Sequence, residues 1–321
     1  MSLQIPAFDV DDWFARRTFD ADAFDVDELA ALKSRQSTTV SVVLPAYNEA
    51  PTIGTVIKTV MTLAGTLVDE VVVVDGGSTD QTQQIAAEHG ARVHLAAATF
   101  AEYGPALGKG DALWRSLALT SGDIVVFIDT DIANPDPCFV TGLLGPLLTQ
   151  PNIELVKAFY DRPISLDGTL HPTGGGRVTE LLARPMVNLF WPELAGLVQP
   201  LSGEYAGRRN LLEAIPFCTG YGVEIGILIN TVLSRGPDAI AQVDIKRRIH
   251  RNQHLSALSR MAFGVAQATL HRMPQAGRAQ IPELPVTYRQ FSRGEDGLVA
   301  LCDASIVDVI ERPPMQDQRD R

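Results

Sequence analysis

Ile124-Val-Val-Phe-Ile128 runs directly into Asp129-Thr130-Asp131, and this stretch decides the fold class. The apolar run is too short to be a helix by itself and reads as a buried parallel strand. The acidic pair therefore stands where that strand ends. Ligands of open α/β sheets gather at the carboxyl ends of strands. Two carboxylates one residue apart are placed there to hold a divalent cation against a diphosphate, because Mg²⁺ is commonly held by one or two carboxylates together with phosphate oxygens. The same Asp-x-Asp also reads as a turn and helix start, which Asp favours, so the neighbouring segments must decide.

On the N-terminal side an alternation of elements leads up to the pair. Val40–Leu44 and Glu70–Val74 read as strands, and Arg92–His94 begins a short third one. Helices are expected over 52–63, where Ile53, Val56, Ile57 and Val60 recur at helical spacing after Pro51, and over 79–89, 109–120 and 137–148. This rhythm implies right-handed βαβ units and a mostly parallel sheet. Beyond residue 150 the pattern loosens: strands over 153–159 and 240–245, and helices from 178, over 223–233 and over 254–271. The expected organisation is an N-terminal arm (1–37), an α/β half (38–150), a more irregular half (151–311) and a tail (312–321). The arm carries Phe8, Trp13, Phe14, Phe19 and Phe24 among its acids, with a short helix over 26–35, and should dock on the body, since aromatics are costly to leave in water. The last ten residues, with two prolines and five charges, read as a mobile tail.

Bulk properties narrow the function classes. The 321 residues are 45% hydrophobic and 20% charged, an ordinary soluble composition, and the net charge of −11 offers no broad basic field for nucleic acid. Cys138, Cys218 and Cys302 lack metal spacing and fit a reducing compartment. The first ten residues lack the basic and apolar regions of a signal peptide, and no stretch approaches the roughly 18 apolar residues of a membrane span. A cytoplasmic protein without stable membrane insertion is expected.

Several segments could carry chemistry. Pro45-Ala46-Tyr47-Asn48-Glu49 follows the first strand and Asp75-Gly76-Gly77-Ser78 the second, both on the edge of the acidic pair. Backbone groups of the first, with Asp75, could hold a nucleoside; Gly76-Gly77-Ser78 also reads as a tight turn with a helix cap. There is no Gly-x-Gly-x-x-Gly after the first strand and no P-loop, which disfavours a dinucleotide or a Walker site. Lys109, between Gly108 and Gly110 at a helix start, opposes the local macrodipole; an anionic ligand would resolve the conflict, and an exposed loop lysine is the plain alternative. Thr173-Gly-Gly-Gly-Arg177-Val178-Thr179 lets the backbone approach a ligand closely and offers donors for a phosphate or carboxylate, or is a flexible loop before a capped helix. Lys246-Arg247-Arg248-Ile249-His250-Arg251-Asn252 concentrates positive charge at a strand end. Alternation would turn Arg248, His250 and Asn252 one way, and His250 is either a metal ligand or part of a solvated face. Glu224, after Tyr221-Gly222-Val223, either complements a helix N-terminus or faces a sugar hydroxyl.

Together these segments resemble the nucleotide-sugar glycosyltransferases of the GT-A type. Gly-Lys-Gly-Asp-Ala-Leu-Trp-Arg at 108–115, Gly-Gly-Gly-Arg-Val-Thr-Glu-Leu at 174–181, Gly-Glu-Tyr-Ala at 203–206, Gly-Tyr-Gly-Val-Glu-Ile-Gly at 220–226 and His-Arg-Asn at 250–252 are similar to the actinobacterial glucosyl-3-phosphoglycerate synthases, over nearly the whole chain. The resemblance implies an α/β fold with a Rossmann-like, mostly parallel sheet flanked by helices. It implies retaining transfer of glucose from UDP-glucose to the 2-hydroxyl of 3-phosphoglycerate with Mg²⁺, for which Mn²⁺ or Co²⁺ can substitute. Residues 45–49, Gly76 and Lys109 would line the UDP site, and Asp129 and Thr130 would contact the nucleotide. Asp131 would bind the metal with His250. Tyr221 to Glu224, Arg248 and Arg251 would hold the donor, with Glu224 orienting the sugar. Gly176, Arg177, Val178, Thr179 and Asn252 would hold the acceptor. A homodimer is implied as well. Three positions depart from the family pattern: Tyr47 for Leu, Gly76 for Ser and Gln253 for a basic residue. All lie in the donor region, and relatives in this group use other nucleotide sugars, including GDP-mannose. A lipid-phosphate glycosyltransferase is the alternative enzyme, but its Gln-x-x-Arg-Trp-like segment and membrane helices are missing. A non-catalytic nucleotide-sugar sensor is disfavoured by the intact Asp129, Asp131 and His250.

Overall fold

The computed structural model describes residues 8–162, 164–166, 169–171, 176–249, 255–281, 283–293 and 299–319. One sheet of eight strands organises the chain, in the order Thr18–Asp20, Ile240–Arg247, Leu155–Asp161, Tyr205–Arg208, Ile124–Phe127, Val40–Ala46, Glu70–Asp75 and Arg92–Leu95. All neighbours pair parallel except Tyr205–Arg208, which is antiparallel to the strands on both its sides. The expected strand run 124–128 is a strand over Ile124–Phe127 whose residues are all fully buried, as a strand covered on both faces must be. The helix Ile53–Met61 buries Ile53, Val56, Ile57 and Val60, the stripe its spacing sets. The GT-A-type α/β class is borne out.

The parallel strands Val40–Ala46, Glu70–Asp75 and Ile124–Phe127 all end at one edge, and the Asp129 pair, the Tyr47 segment and the Gly76 turn meet there. The helix Lys109–Leu119 starts at the same edge. Its second residue, Gly110, touches the backbone of Cys218 so closely that a Cβ would lie 2.0 Å from that carbonyl oxygen, which fixes the helix start against the element bearing Tyr221.

The expected division at residue 150 passes through this continuous sheet, which takes Leu155–Asp161, Tyr205–Arg208 and Ile240–Arg247 from the later residues. The N-terminal arm joins it too: Thr18–Asp20 forms the edge strand beside Ile240–Arg247. Trp13 is buried, its indole N–H donating to the Pro237 carbonyl at 3.0 Å. The tail expectation is corrected. Glu311–Arg312 pairs with Phe217–Cys218, Met315 is fully buried, and Gln316–Arg319 is a helical turn. Arg312 reaches both carboxylate oxygens of the buried Asp111 at 2.9 and 2.8 Å, and the Trp114 indole donates to the Pro313 carbonyl at 2.8 Å. Burial of Met315 and pairing of Arg312 outweigh the polarity of the segment. Among the described residues no helix is long and apolar enough to cross a membrane.

Candidate active site

A cavity of about 670 Å³ opens at the shared strand edge. Pro45, Ala46, Tyr47, Glu49 and Gly76 line it from the first two strand ends, and Asp129, Thr130 and Asp131 from the third. Lys109, Tyr221 and Glu224 enter from helix starts, Arg248 from the end of Ile240–Arg247, and Gly176, Arg177, Val178 and Thr179 from the glycine turn. Leu258, Met261 and Val265 of the helix Leu255–His271 add an apolar wall. Two expected donor residues stand elsewhere. Asp75 is fully buried and accepts four hydrogen bonds from its own turn and helix: Gly77 N, Ser78 N, Ser78 Oγ and Gln83 Nε2. Asn48, at φ +55, donates its N–H to Ser78 Oγ and accepts from Thr79 N, so it clasps the two turns together. His250, Arg251 and Asn252, and the glycines 174 and 175, lie outside the described residues.

Charge is arranged as one compact cluster. Lys109 Nζ lies 2.5 Å from Asp129 Oδ1 and 2.9 Å from Glu224 Oε1. The conflict between this ammonium and its helix start is thus resolved by two carboxylates of the protein. Arg248 Nη2 lies 2.5 Å from Asp131 Oδ1 and 3.2 Å from Asp129 Oδ2. Its Nε is 3.0 Å from Glu204 Oε1, an ion pair without the angle of a hydrogen bond. A register shift between Asp244 and Arg247, with Lys246 at φ +70, turns Arg248 into the cavity, as bulges re-aim side chains. Lys246 instead reaches Asp20 of the arm at 2.6 Å, so the basic run splits between two jobs. Thr130 is pinned by its hydroxyl donating to the Pro45 carbonyl at 2.8 Å.

The two aspartates are driven apart electrostatically. Burial pushes Asp129 up, but Lys109 and Arg248 outweigh it and hold its carboxyl down to about 2. Burial also raises Asp131, where the charge of Asp129 adds to the effect and Arg248 opposes it. Asp129 is therefore a fixed anion with both oxygens engaged. Asp131, with a side chain 34% exposed, is the carboxylate that gains from a further cation. This fits a divalent ion held by Asp131 together with residues outside those described. Among the described residues no three His, Cys, Asp or Glu side chains gather as a metal site.

Behind the cluster stand groups that the sequence reading did not assign. Tyr160 donates its hydroxyl to Glu204 at 2.6 Å and accepts from Arg162 at 2.7 Å. Lys157, fully sequestered, donates to the Ser202 carbonyl and lies 4.5 Å from the Tyr205 ring centroid; burial lowers it to about 7. Gly203 abuts Asp129 so closely that a Cβ there would lie 2.0 Å from Oδ2. Glu204 and Gly203 belong to the Gly-Glu-Tyr-Ala block, whose strand has no apolar run to announce it. Arg162 follows the end of the strand Leu155–Asp161, and the same strand-end argument that singled out Asp129 reaches it.

The profile of glycosyl transferase family 2 matches residues 41–220. The glucosyl-3-phosphoglycerate synthase of Petrotoga mobilis is 46% identical over 305 residues, covering 94% of this chain and 93% of that protein. The crystal structure of mannosyl-3-phosphoglycerate synthase from Rubrobacter xylanophilus superposes with a TM-score of 0.89 at 42% identity, covering 96% and 98% of the two chains. That of glucosyl-3-phosphoglycerate synthase from Mycobacterium tuberculosis, in complex with Mn²⁺, UDP-glucose and phosphoglyceric acid, does so with a TM-score of 0.80 at 47% identity over 92% and 96%. With its sheet edge, acidic pair and glycine turn in one cavity, the chain belongs to glycosyl transferase family 2, and within it to the glucosyl-3-phosphoglycerate synthases.

Proposed function

We propose that this chain transfers glucose from UDP-glucose to the 2-hydroxyl of 3-phosphoglycerate, with retention at the anomeric carbon and with Mg²⁺, Mn²⁺ or Co²⁺ bound. The observation that carries this reading is that one cavity joins Asp131, Lys109 and Arg248 to the turn Gly176–Thr179. A nucleoside diphosphate has cations and a metal-binding carboxylate at one end, and a phosphorylated acid has backbone and arginine donors at the other. Asp131 and His250 would hold the metal, whose chemistry is to offset negative charge developing on the departing diphosphate. Tyr47, Glu49 and Gly76 would border the nucleoside, and Tyr221 and Glu224 the sugar.

In this reading the bond from the anomeric carbon to the diphosphate oxygen breaks as the 2-hydroxyl oxygen bonds on the same face. The hydroxyl proton passes to the leaving diphosphate, so no enzymic base is required. Glu224, held by Lys109 at 2.9 Å, orients the sugar rather than attacking it. Arg177 and its turn fix the acceptor, spending binding energy on the alignment of the hydroxyl.

A second donor, GDP-mannose, is favoured by the superposition on the Rubrobacter xylanophilus mannosyl enzyme and by Tyr47 and Gly76. The deciding experiment is product formation from 3-phosphoglycerate, Mg²⁺ and a panel of UDP- and GDP-sugars, read by mass spectrometry. Glucosyl-phosphoglycerate from UDP-glucose is the expected product, mannosyl-phosphoglycerate from GDP-mannose reassigns the donor, and no transfer with any sugar sinks the acceptor assignment. The reading includes a homodimer acting in the cytoplasm; light scattering at the mass of a single chain of 34.7 kDa would remove the dimer.

A further inference from the structure

The charges of the cavity balance, with one exception. Lys109 and Arg248 each face two or more carboxylates. Arg162 lines the same cavity and has no ion pair among the described residues. Its Nη2 donates to Tyr160 Oη at 2.7 Å, and its guanidinium stands 4.9 Å from that ring's centroid. Both contacts are with a neutral phenol, which orients the guanidinium without spending its charge. The Nε–H is buried and has no acceptor. A buried donor left unsatisfied is costly and rare in folded proteins. The side chain points at the glycine turn: Arg162 Nη1 would be 3.6 Å from a Cβ at Gly176, and Thr179 Cβ 3.9 Å from it. Gly176 sits at φ +73, a conformation that suits glycine.

We propose that Arg162 is the second anion-binding residue of the acceptor site and takes the carboxylate of the phosphorylated acid, while Arg177 and the Gly176–Thr179 turn take its phosphate. The inference rests on the acceptor reading above and deepens it. A three-carbon acid phosphorylated at C3 carries anions on both sides of its 2-hydroxyl, so one cationic cradle leaves the hydroxyl free to swing. Two cations of different origin, one on a strand end and one on a helix start, fix it. Arg suits this task because its planar fork matches a carboxylate and cannot lose its charge. Tyr160, bonded to Glu204, is what holds the fork in place.

The test uses the full chain with the donor that the product assay identifies. Arg162→Ala is expected to raise the KM for 3-phosphoglycerate by about tenfold or more, the scale of one lost charge-assisted contact, and to leave the donor KM within about twofold. Arg162→Lys, which keeps the charge and loses the fork, should recover part of the loss. Glycerol 3-phosphate, which lacks the carboxylate, serves as a competitive inhibitor. Its inhibition constant should be the same for wild type and Arg162→Ala, and higher for Arg177→Ala. Unchanged acceptor KM in both Arg162 variants overturns the proposal. So does a rise in the glycerol 3-phosphate constant matching that for 3-phosphoglycerate, which would place Arg162 on the phosphate. A wild-type enzyme that glycerol 3-phosphate does not inhibit overturns the division between the two cradles. A wild type that forms no product from 3-phosphoglycerate with any donor is a different result, since it removes the acceptor reading itself.

Discussion

The two ends of the cavity handle charge in opposite ways. At the end holding Asp129, Asp131 and Glu224, each cation is matched by protein carboxylates, with Lys109 and Arg248 bridging three acids between them at 2.5 to 3.2 Å. At the end holding Gly176 and Arg162, positive charge and a buried N–H stand without a protein anion. The first end is self-satisfied and must exchange partners to take a diphosphate and its metal. The second is prepared in advance for an anion, which lowers the ordering cost of binding. Donor affinity should therefore depend on the metal and on the carboxylates that share the cations, whereas acceptor affinity should depend on fixed donors alone.

The strongest way to break this contrast is Asp131→Asn. The substitution keeps the shape and an acceptor for Arg248, and it removes the carboxylate that burial and Asp129 push up. Product formation should fall on the order of 10³-fold, as for loss of a group that stabilises developing charge. Calorimetric binding of 3-phosphoglycerate should persist. Equal loss of acceptor binding would mean that the two ends do not act separately.

The next largest effect is on stability, through the C-terminal segment that underpins the donor end. Arg312 and Asp111 are a buried pair at 2.8 and 2.9 Å, two residues from Lys109. Arg312→Met leaves Asp111 with Arg115 at 3.3 Å and the Leu107 N–H at 2.9 Å. Breaking a buried pair from one side costs about 3 kcal/mol, read as a lower urea midpoint, and the donor KM should rise while the acceptor KM holds. An unshifted midpoint would return the segment to the peripheral role that its composition suggests.

That segment also shows where the sequence stops being legible. The parallel strands and the stripe on Ile53–Met61 follow from local apolar patterns, and the acidic pair, the Lys109 start and the glycine turn could be placed on one edge because strand ends share an edge. The partner of Arg312 is 201 residues away, and nothing between Arg312 and Arg319 marks one arginine as buried and another as solvated. Tyr205–Arg208 escaped for a related reason. It is a four-residue strand containing Gly207, whose missing side chain makes room for Leu212 at 3.0 Å, and its antiparallel pairing is fixed by neighbours on both sides. Arg248 was placed at a strand end by alternation, but a backbone shift turns it into the cavity while Lys246 goes to Asp20. Pairings across long separations and bulges leave little trace in local periodicity.

The smallest expected effect sharpens the donor end. Gly76 stands where relatives of this kind carry Ser, and its backbone is not at positive φ. A Cβ there would meet the Ala46 carbonyl oxygen and Tyr47 Cδ2 at 3.5 Å, both ordinary contacts. Gly76→Ser should therefore fold without strain and change stability by no more than about 0.5 kcal/mol. The added hydroxyl faces the cavity beside Tyr47, where it can bond a polar group of the nucleoside. One neutral hydrogen bond contributes about 0.5–1.5 kcal/mol, so kcat/KM for UDP-glucose should rise by about two- to tenfold relative to GDP-mannose, with no change in the acceptor KM. If both donors improve equally, the hydroxyl touches a feature they share, and the choice of base lies with Tyr47. If neither moves, Gly76 borders the nucleoside without reading it, and the donor end draws its selectivity from the sugar side, at Tyr221 and Glu224.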